Sequence, residues 1–82
     1  MIKGAKQRRN EKAISTLANN IRKHRQEQNL TIQELANLLD VDYSQIGRME
    51  RGIVNANISI IFDIAEALKI EPSRLLDFSN EA

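Results

Sequence analysis

The chain has 82 residues and a formal net charge of +1, with 12 Lys and Arg against 11 Asp and Glu. It contains no Cys, which excludes disulfides and thiolate metal sites, and no apolar run approaches the roughly 20 residues of a membrane span. The charge is unevenly divided, since residues 1–52 carry net +4 and residues 53–82 carry net −3. This division is typical of a protein with one surface toward a polyanion. We expect one small cytoplasmic domain without a cofactor.

Residues 1–12 form a basic tail in which Glu11 is the single acid. Such tails are usually flexible and solvated. The alternative is an arm that follows DNA phosphates or enters the minor groove. We assign residues 1–12 to a flexible N-terminal arm, residues 13–78 to the folded domain and residues 79–82 to a frayed C-terminus.

The first helix is predicted to begin at Glu11 or Ala13 and to end at Gln28, with Asn29 as a left-handed stop. Helical spacing gives it an apolar face made of Ile14, Leu17, Ala18 and Ile21. Its second half is basic and contains His24, which we place on a charged surface. A catalytic or metal role for His24 is not expected, because a metal site needs other ligands nearby.

Two short helices follow, separated by a break at residues 40–42. Thr31 and Glu34 can form a capping box at the start of the first. Its predicted apolar face consists of Leu35, Leu38 and Leu39. Asp40 tolerates a left-handed backbone, and Asp42 can cap the next helix, from Tyr43 to about Arg51, which stops at Gly52. Residues 40–42 lack the further ligands of a calcium loop.

The helix from Tyr43 carries the functional signal. Ile46 and Met49 share the face that we expect to be buried. The other face carries hydroxyl, amide and guanidinium groups, which are those that read base edges in a major groove. Its members are Tyr43, Ser44, Gln45, Gly47, Arg48 and Arg51. Gly47 costs a helix about 1 kcal/mol relative to Ala, which suggests close approach to a partner. The pattern indicates a helix-turn-helix DNA reader.

Two further helices are predicted in the acidic part of the chain. Asn57 caps a fourth helix over 58–68, whose expected core stripe is Ile58, Ile61, Phe62, Ala65 and Leu68. Ile60 and Ile64 lie partly off this stripe, and they are either marginal core or a dimer seam. Pro72 begins a fifth helix that runs to Asp77 and presents Leu75, Leu76 and Phe78. We expect a homodimer through helices 4 and 5, with Ile60, Ile64, Leu76 and Phe78 at the seam.

From Leu17 to about Phe78 the chain resembles the Cro/cI-like, xenobiotic-response-element (XRE) family of helix-turn-helix transcriptional regulators. The most specific shared features are the ELA triplet at 34–36, Val41, Ile46 and the RMERG run at 48–52. The resemblance implies an all-α, compact five-helix lambda-repressor-like DNA-binding domain with the helix-turn-helix at helices 2 and 3. It also implies a partly buried structural ion pair between Arg25 and Glu50.

The resemblance places Tyr43, Ser44 and Arg48 on positions that touch base edges. Together with their neighbours, the candidate base-reading residues are Tyr43, Ser44, Gln45, Gly47 and Arg48. The candidates for contact with the DNA backbone are Thr31, Gln33, Asp42, Arg51, Asn55, Arg22 and Lys23. Three departures weaken the backbone contacts: Ile32 replaces the usual Gln, Asp40 replaces a common Gly, and the loop 53–56 has no Lys or Arg.

The leading interpretation is a sequence-specific DNA-binding transcriptional regulator that represses by occupying its site as a dimer. The rival is a protein-interaction adaptor with the same fold that reads no bases. Phage-type repressor, restriction-modification controller and antitoxin all fit the leading interpretation. An enzyme is not expected, because Gly4, Gly47 and Gly52 are isolated and form no phosphate-binding loop.

Overall fold

The computed structural model describes residues 8–80, with side chains to residue 79, and it confirms the all-α prediction. Five α-helices and a terminal 3-10 turn account for its regular structure, and no strand occurs within this range. Their bounds are α1 Glu11–Glu27, α2 Ile32–Leu39, α3 Tyr43–Glu50, α4 Ile58–Leu68, α5 Pro72–Leu75 and the turn Phe78–Asn80. Residues 1–7 and 81–82, where most of the predicted arm and part of the frayed end fall, lie outside the described residues.

Side-chain caps begin several of the helices. Asn10 Oδ1 accepts from the backbone N–H of Ala13 at 2.9 Å, and Asn57 Oδ1 accepts from that of Ile60 at 3.0 Å. The predicted capping box is present: Thr31 Oγ1 accepts from Glu34 N at 3.0 Å, and Glu34 Oε1 accepts from Thr31 N at 2.8 Å. Each such bond satisfies a backbone donor that the first helical turn leaves free.

The breaks between helices use left-handed residues. Asn29 and Asp40 have φ values of 59° and 55°, as the sequence predicted, and Gly52 has a φ of 70°. Lys69 also adopts a left-handed conformation after α4, with a φ of 59°. This stop could not be predicted from residue type, because Lys has no special tolerance of that backbone region.

The predicted helix ends agree with the structure in part. α1 begins at Glu11, one of the two predicted starts, so Glu11 and Lys12 belong to this helix rather than to the arm. Asp42 occupies the N-cap position of α3, but its side chain makes no capping hydrogen bond. The last helix ends at Leu75 instead of Asp77.

Every helix contributes to a single hydrophobic core. The largest fully buried apolar side chains are Ile21, Leu35, Ile46, Ile64, Leu68 and Leu75. Ala36 is also fully buried where α2 packs on its neighbours. α3 contacts both α1 and α2, so the core side of the second helix of the motif is fixed from two directions.

The orientation of α4 differs from the prediction. Ile61, Ile64, Ala65 and Leu68 face the core, whereas Ile58 is 62% exposed and Phe62 is 54% exposed. Ile64 is completely buried within the chain and is therefore unavailable to a dimer seam. Leu38 of α2, which the sequence assigned to an apolar inner face, is 60% exposed.

His24 also lies elsewhere than expected. It is buried on the inner side of α1, with only 4% of its surface exposed, and its Nε2 has no hydrogen-bond partner within the described part of the chain. Burial is the main reason why the pKa of His24 is lowered below 6.5. The positive charges of Lys23 and Arg74 also lower this pKa, whereas the negative charge of Glu27 raises it. The surface placement predicted for this residue is wrong.

Candidate nucleic-acid interface

A buried ion pair fixes α3 against α1. Arg25 donates through Nε to Glu50 Oε2 at 2.6 Å and through Nη2 to Glu50 Oε1 at 2.9 Å. The remaining nitrogen, Nη1, donates to the carbonyl of Leu30 at 2.7 Å. The paired carboxylate raises the pKa of Arg25, so the guanidinium stays charged. These are the two side chains that the resemblance to Cro/cI-like regulators led us to expect together.

A second arginine of α1 strengthens this junction. Arg22 donates from Nη1 to the backbone carbonyl of Glu50 at 3.0 Å and from Nη2 to Asn19 Oδ1 at 2.7 Å. The carbonyl lies in the last turn of α3, where helical partners are missing, so the cation also compensates the negative end of the helix dipole. The orientation of α3 is thus set by charged contacts at one end and by Ile46 and Met49 along its buried face.

The opposite face of α3 is open to solvent. Tyr43 is 53% exposed, and Ser44, Arg48 and Arg51 are exposed as well, while Gln45 is half-buried at the margin. The face therefore presents phenol, hydroxyl, amide and guanidinium groups together. These groups match the donors and acceptors on base edges and phosphates.

Gly47 is covered by the side chain of Arg51, and its assignment to base reading stays a prediction. The residue is buried, and a Cβ atom added there would lie 3.2 Å from Nη1 of Arg51. The glycine thus leaves room for the Arg51 guanidinium beside the helix.

The candidate backbone-contact residues of α2 are exposed at its beginning. The hydroxyl of Thr31 accepts the capping bond, and Gln33 donates from Nε2 to Asn37 Oδ1 at 2.9 Å. Asp42 is exposed just before α3. On α1, Lys23 is half-exposed and pairs with Glu27, with 3.1 Å between Nζ and Oε2.

The loop after α3 is joined to the residues that precede α1. Asn55 Nδ2 donates to the carbonyl of Arg8 at 2.8 Å, and Arg9 Nη1 donates to the carbonyl of Ile53 at 3.2 Å. Arg9 also pairs with Glu11, with 2.8 Å between Nε and Oε2. The loop 53–56 contains no Lys or Arg, but the Arg9 guanidinium lies beside it. The sequence analysis did not predict this contact.

The described residues include no group of three or more His, Asp or Glu side chains arranged to hold a metal ion. None of the helices in that range is long and apolar enough to cross a bilayer. The candidate interface therefore consists of the exposed polar and cationic face of α3, which packs firmly on α1 and α2. Beside it lie Arg8 and Arg9 and the loop 53–56.

A family model for helix-turn-helix proteins, HTH_3, matches residues 21–75 of the chain. The chain belongs to the HTH_3 family. Members of this XRE-type family are DNA-binding transcriptional regulators rather than enzymes, so the family identification and the non-enzyme prediction are both confirmed. A comparison with curated protein sequences gives no significant match.

Several solved structures are similar to this chain. The restriction-modification controller C.AhdI from Aeromonas hydrophila is 34% identical, with a TM-score of 0.73 over 76% of this chain and 94% of that one. A hypothetical transcription factor, NHTF, from Neisseria is 27% identical, with a TM-score of 0.81 over 94% and 90%. The restriction-modification controller C.Esp1396I, solved as a tetramer with its natural 35 base-pair operator, is 25% identical, with a TM-score of 0.71 over 77% and 83%.

Proposed function

We propose that this protein is a repressor that binds operator DNA as a dimer, with α3 in the major groove. The observation that carries the proposal is the division of α3 into two faces. One face is locked by the Arg25–Glu50 pair and the core, and the other presents Tyr43, Ser44 and Arg48 to solvent. A rigid helix with an exposed set of base-edge donors suits direct readout, because its side chains then reach fixed positions in the groove.

Within this interface we assign base reading to Tyr43, Ser44, Gln45 and Arg48. Arg48 has the length and the forked geometry to donate to guanine O6 and N7 together, a contact worth about 1–3 kcal/mol of discrimination. Contacts with the DNA backbone are assigned to Thr31, Gln33, Asp42, Arg51, Asn55, Arg22 and Lys23. The Arg9 side chain beside Ile53 supplies the positive charge that the loop lacks, and it joins this second group.

The proposed dimer uses the C-terminal part of the chain. One recognition helix covers only a few base pairs, so a specific site needs two helices about 34 Å apart. Leu76 and Phe78 are 46% and 53% exposed, which leaves them free to pack against a second copy. Ile60 is half-buried and lies at the margin of the seam, whereas Ile64 is excluded by its burial.

The decisive experiment compares Arg48→Ala with Lys69→Asn. The operator is first obtained by selecting bound sequences from a random DNA pool, and dissociation constants are then measured on that operator and on scrambled DNA. Both variants lose one positive charge from an exposed position, but Lys69 is assigned to neither the DNA interface nor the dimer seam, and Asn tolerates its left-handed backbone. We expect Arg48→Ala to lose about 10- to 100-fold on the operator and little on scrambled DNA, and Lys69→Asn to change both slightly.

Equal losses from Arg48→Ala on operator and scrambled DNA would show that Arg48 contacts only phosphate. Lys23→Ala provides the corresponding phosphate test, since Lys23 lies on a different helix. It should weaken binding to all sequences alike and reduce the slope of log K against log salt by about one unit.

The adaptor interpretation makes the opposite prediction on mixed-sequence DNA. A protein that docks only on other proteins would show no steep salt dependence there, whereas phosphate contacts require one. Within the DNA-binding interpretation, likeness to two restriction-modification controllers favours a regulator of that kind over an antitoxin. Such a regulator would act on DNA in the cytoplasm.

A further inference from the structure

The C-terminal segment, residues 76–78, lies on a polar part of α1. Asn20 is buried, with 1% of its surface exposed, and its Nδ2 donates to the carbonyls of Leu75 and Asp77, both at 3.0 Å. These carbonyls follow the short helix α5, where intrahelical donors have run out. The two N–H groups of one amide thus bind two acceptors that the backbone cannot satisfy alone.

A second residue of the same helix holds the end of the segment. Nζ of Lys12 lies 5.0 Å from the ring centroid of Phe78, within the range of a cation–π contact. Leu76 and Phe78 themselves are about half exposed. Burial of their side chains therefore contributes only part of what holds the segment, and the polar contacts from α1 fix its path.

We propose that Asn20 is a positioning residue for self-association, which holds Leu76 and Phe78 in the arrangement that a second copy of the chain recognises. The inference rests on the proposed dimer and adds a residue that is itself buried and remote from the DNA-reading face. Its physical basis is preorganisation. A segment already fixed in its bound conformation loses less conformational entropy on association than one that must be ordered at that moment.

The charges around the segment favour a second copy as the partner. Charges of both signs surround Leu76 and Phe78. Glu71, Arg74 and Asp77 are close to them in the sequence, and Lys12 lies over the Phe78 ring. Lys12 and Arg74 are positive, whereas Glu71 and Asp77 are negative. In a two-fold interface each patch meets its own copy. A patch of one sign would repel itself, but a patch of mixed sign can place opposite charges against each other.

The test is a double-mutant cycle on the dimer dissociation constant, measured by sedimentation equilibrium of the full chain without DNA. The variants are Asn20→Leu, Phe78→Ala and the double variant. Leu is similar in size to Asn but has no donors. We expect each single variant to weaken the dimer at least tenfold and the double variant to lose less than the two single losses combined, because part of the Asn20 effect acts through Phe78.

The outcomes separate the two proposals. Additive losses would mean that Asn20 acts through general stability, and an unchanged constant for Asn20→Leu beside a weakened Phe78→Ala would also overturn the positioning role. In both cases the dimer surface stands. A monomeric wild type, or an unchanged constant for Phe78→Ala, would overturn the dimer surface and the positioning role together.

Because Asn20 is buried, an exposed variant provides a second route should Asn20→Leu fail to fold. Lys12→Gln removes the cation beside Phe78, and Arg8→Gln, which removes an exposed cation just before the same helix, is its control. We expect Lys12→Gln to weaken the dimer about threefold, which is the effect of a modest exposed cation–π contact, and Arg8→Gln to leave the dimer unchanged. Equal behaviour of the two variants would overturn the inference.

Discussion

Replacing Glu50 by Ala tests the ion pair that orients the recognition helix. The substitution leaves the Arg25 guanidinium in a site where only 9% of the residue is exposed. Its Nη1 keeps the Leu30 carbonyl, but Nε and Nη2 lose both of their acceptors. A buried charge without its partner is strongly destabilising, so we expect the free energy of unfolding to fall by about 3–5 kcal/mol.

The contacts lead to a similar magnitude. The pair contains two charge-assisted hydrogen bonds, at 2.6 and 2.9 Å, and hydrogen bonds to charged groups contribute about 1.5–3 kcal/mol each. Arg25→Ala should cost as much or more, because within the described residues the Glu50 carboxylate has no other donor. Replacing both partners, as Arg25→Met with Glu50→Leu, should restore most of the loss, since no unpaired charge then remains.

Urea unfolding at one fixed protein concentration provides the measurement, because self-association would otherwise shift the apparent stability. Glu11→Ala is the matched control: its exposed pair with Arg9 should contribute little. A urea midpoint that shifts no more for Glu50→Ala than for Glu11→Ala would show that the Arg25–Glu50 pair contributes no more than an exposed one. Single-variant losses that simply add in the double variant would show that the charges are not energetically coupled.

Three further predictions concern stability away from the proposed interface. The pKa of His24 is lowered chiefly by burial, so the folded chain binds fewer protons at this residue than the unfolded chain. The free energy of unfolding should therefore fall as pH decreases below about 6.5, by at most about 1.4 kcal/mol per pH unit. Urea titrations from pH 7.5 to 5 should show a flatter profile for His24→Leu. Asn57→Ala removes a cap and should cost about 1 kcal/mol, or roughly 4–8 °C in thermal midpoint, whereas Asp42→Ala, at a cap without a side-chain bond, should change the midpoint little. Gly52→Ala should destabilise by about 1–2 kcal/mol, because its φ of 70° disfavours a Cβ. Gly47→Ala should instead leave stability unchanged or raise it by up to about 1 kcal/mol, since the neighbour that crowds it among the described residues is the end of a flexible arginine. Chemical denaturation should therefore show a lower midpoint for Gly52→Ala and an unchanged or higher one for Gly47→Ala.

The sequence alone determined the local architecture of the helix-turn-helix. Thr31 with Glu34, the left-handed Asp40 and the stop at Gly52 depend on contacts within a few residues, which residue types specify directly. The inward face of α3 was also readable, because Ile46 and Met49 are its only large apolar residues besides Tyr43. Together with the RMERG run at 48–52, these features were sufficient to indicate the family.

The tertiary structure decided which apolar residues of α4 are buried. Eight of its eleven residues are apolar, with two alanines included, so several stripes fit the helical period equally well. Packing against α2 and α5 selected Ile64 for the core and left Ile58 and Phe62 exposed. The predicted dimer seam failed at Ile64 for this reason.

Contacts between distant parts of the chain were equally beyond sequence reasoning. The Arg9–Ile53 hydrogen bond spans 44 residues, and the Asn20–Leu75 bond spans 55. The burial of His24 likewise depends on contacts between distant parts of the chain. Arg9, Asn20 and His24 are polar, whereas helical periodicity predicts only the face on which apolar side chains lie. A polar side chain becomes buried when a distant backbone group or helix lies over it, and only the folded chain brings those groups together.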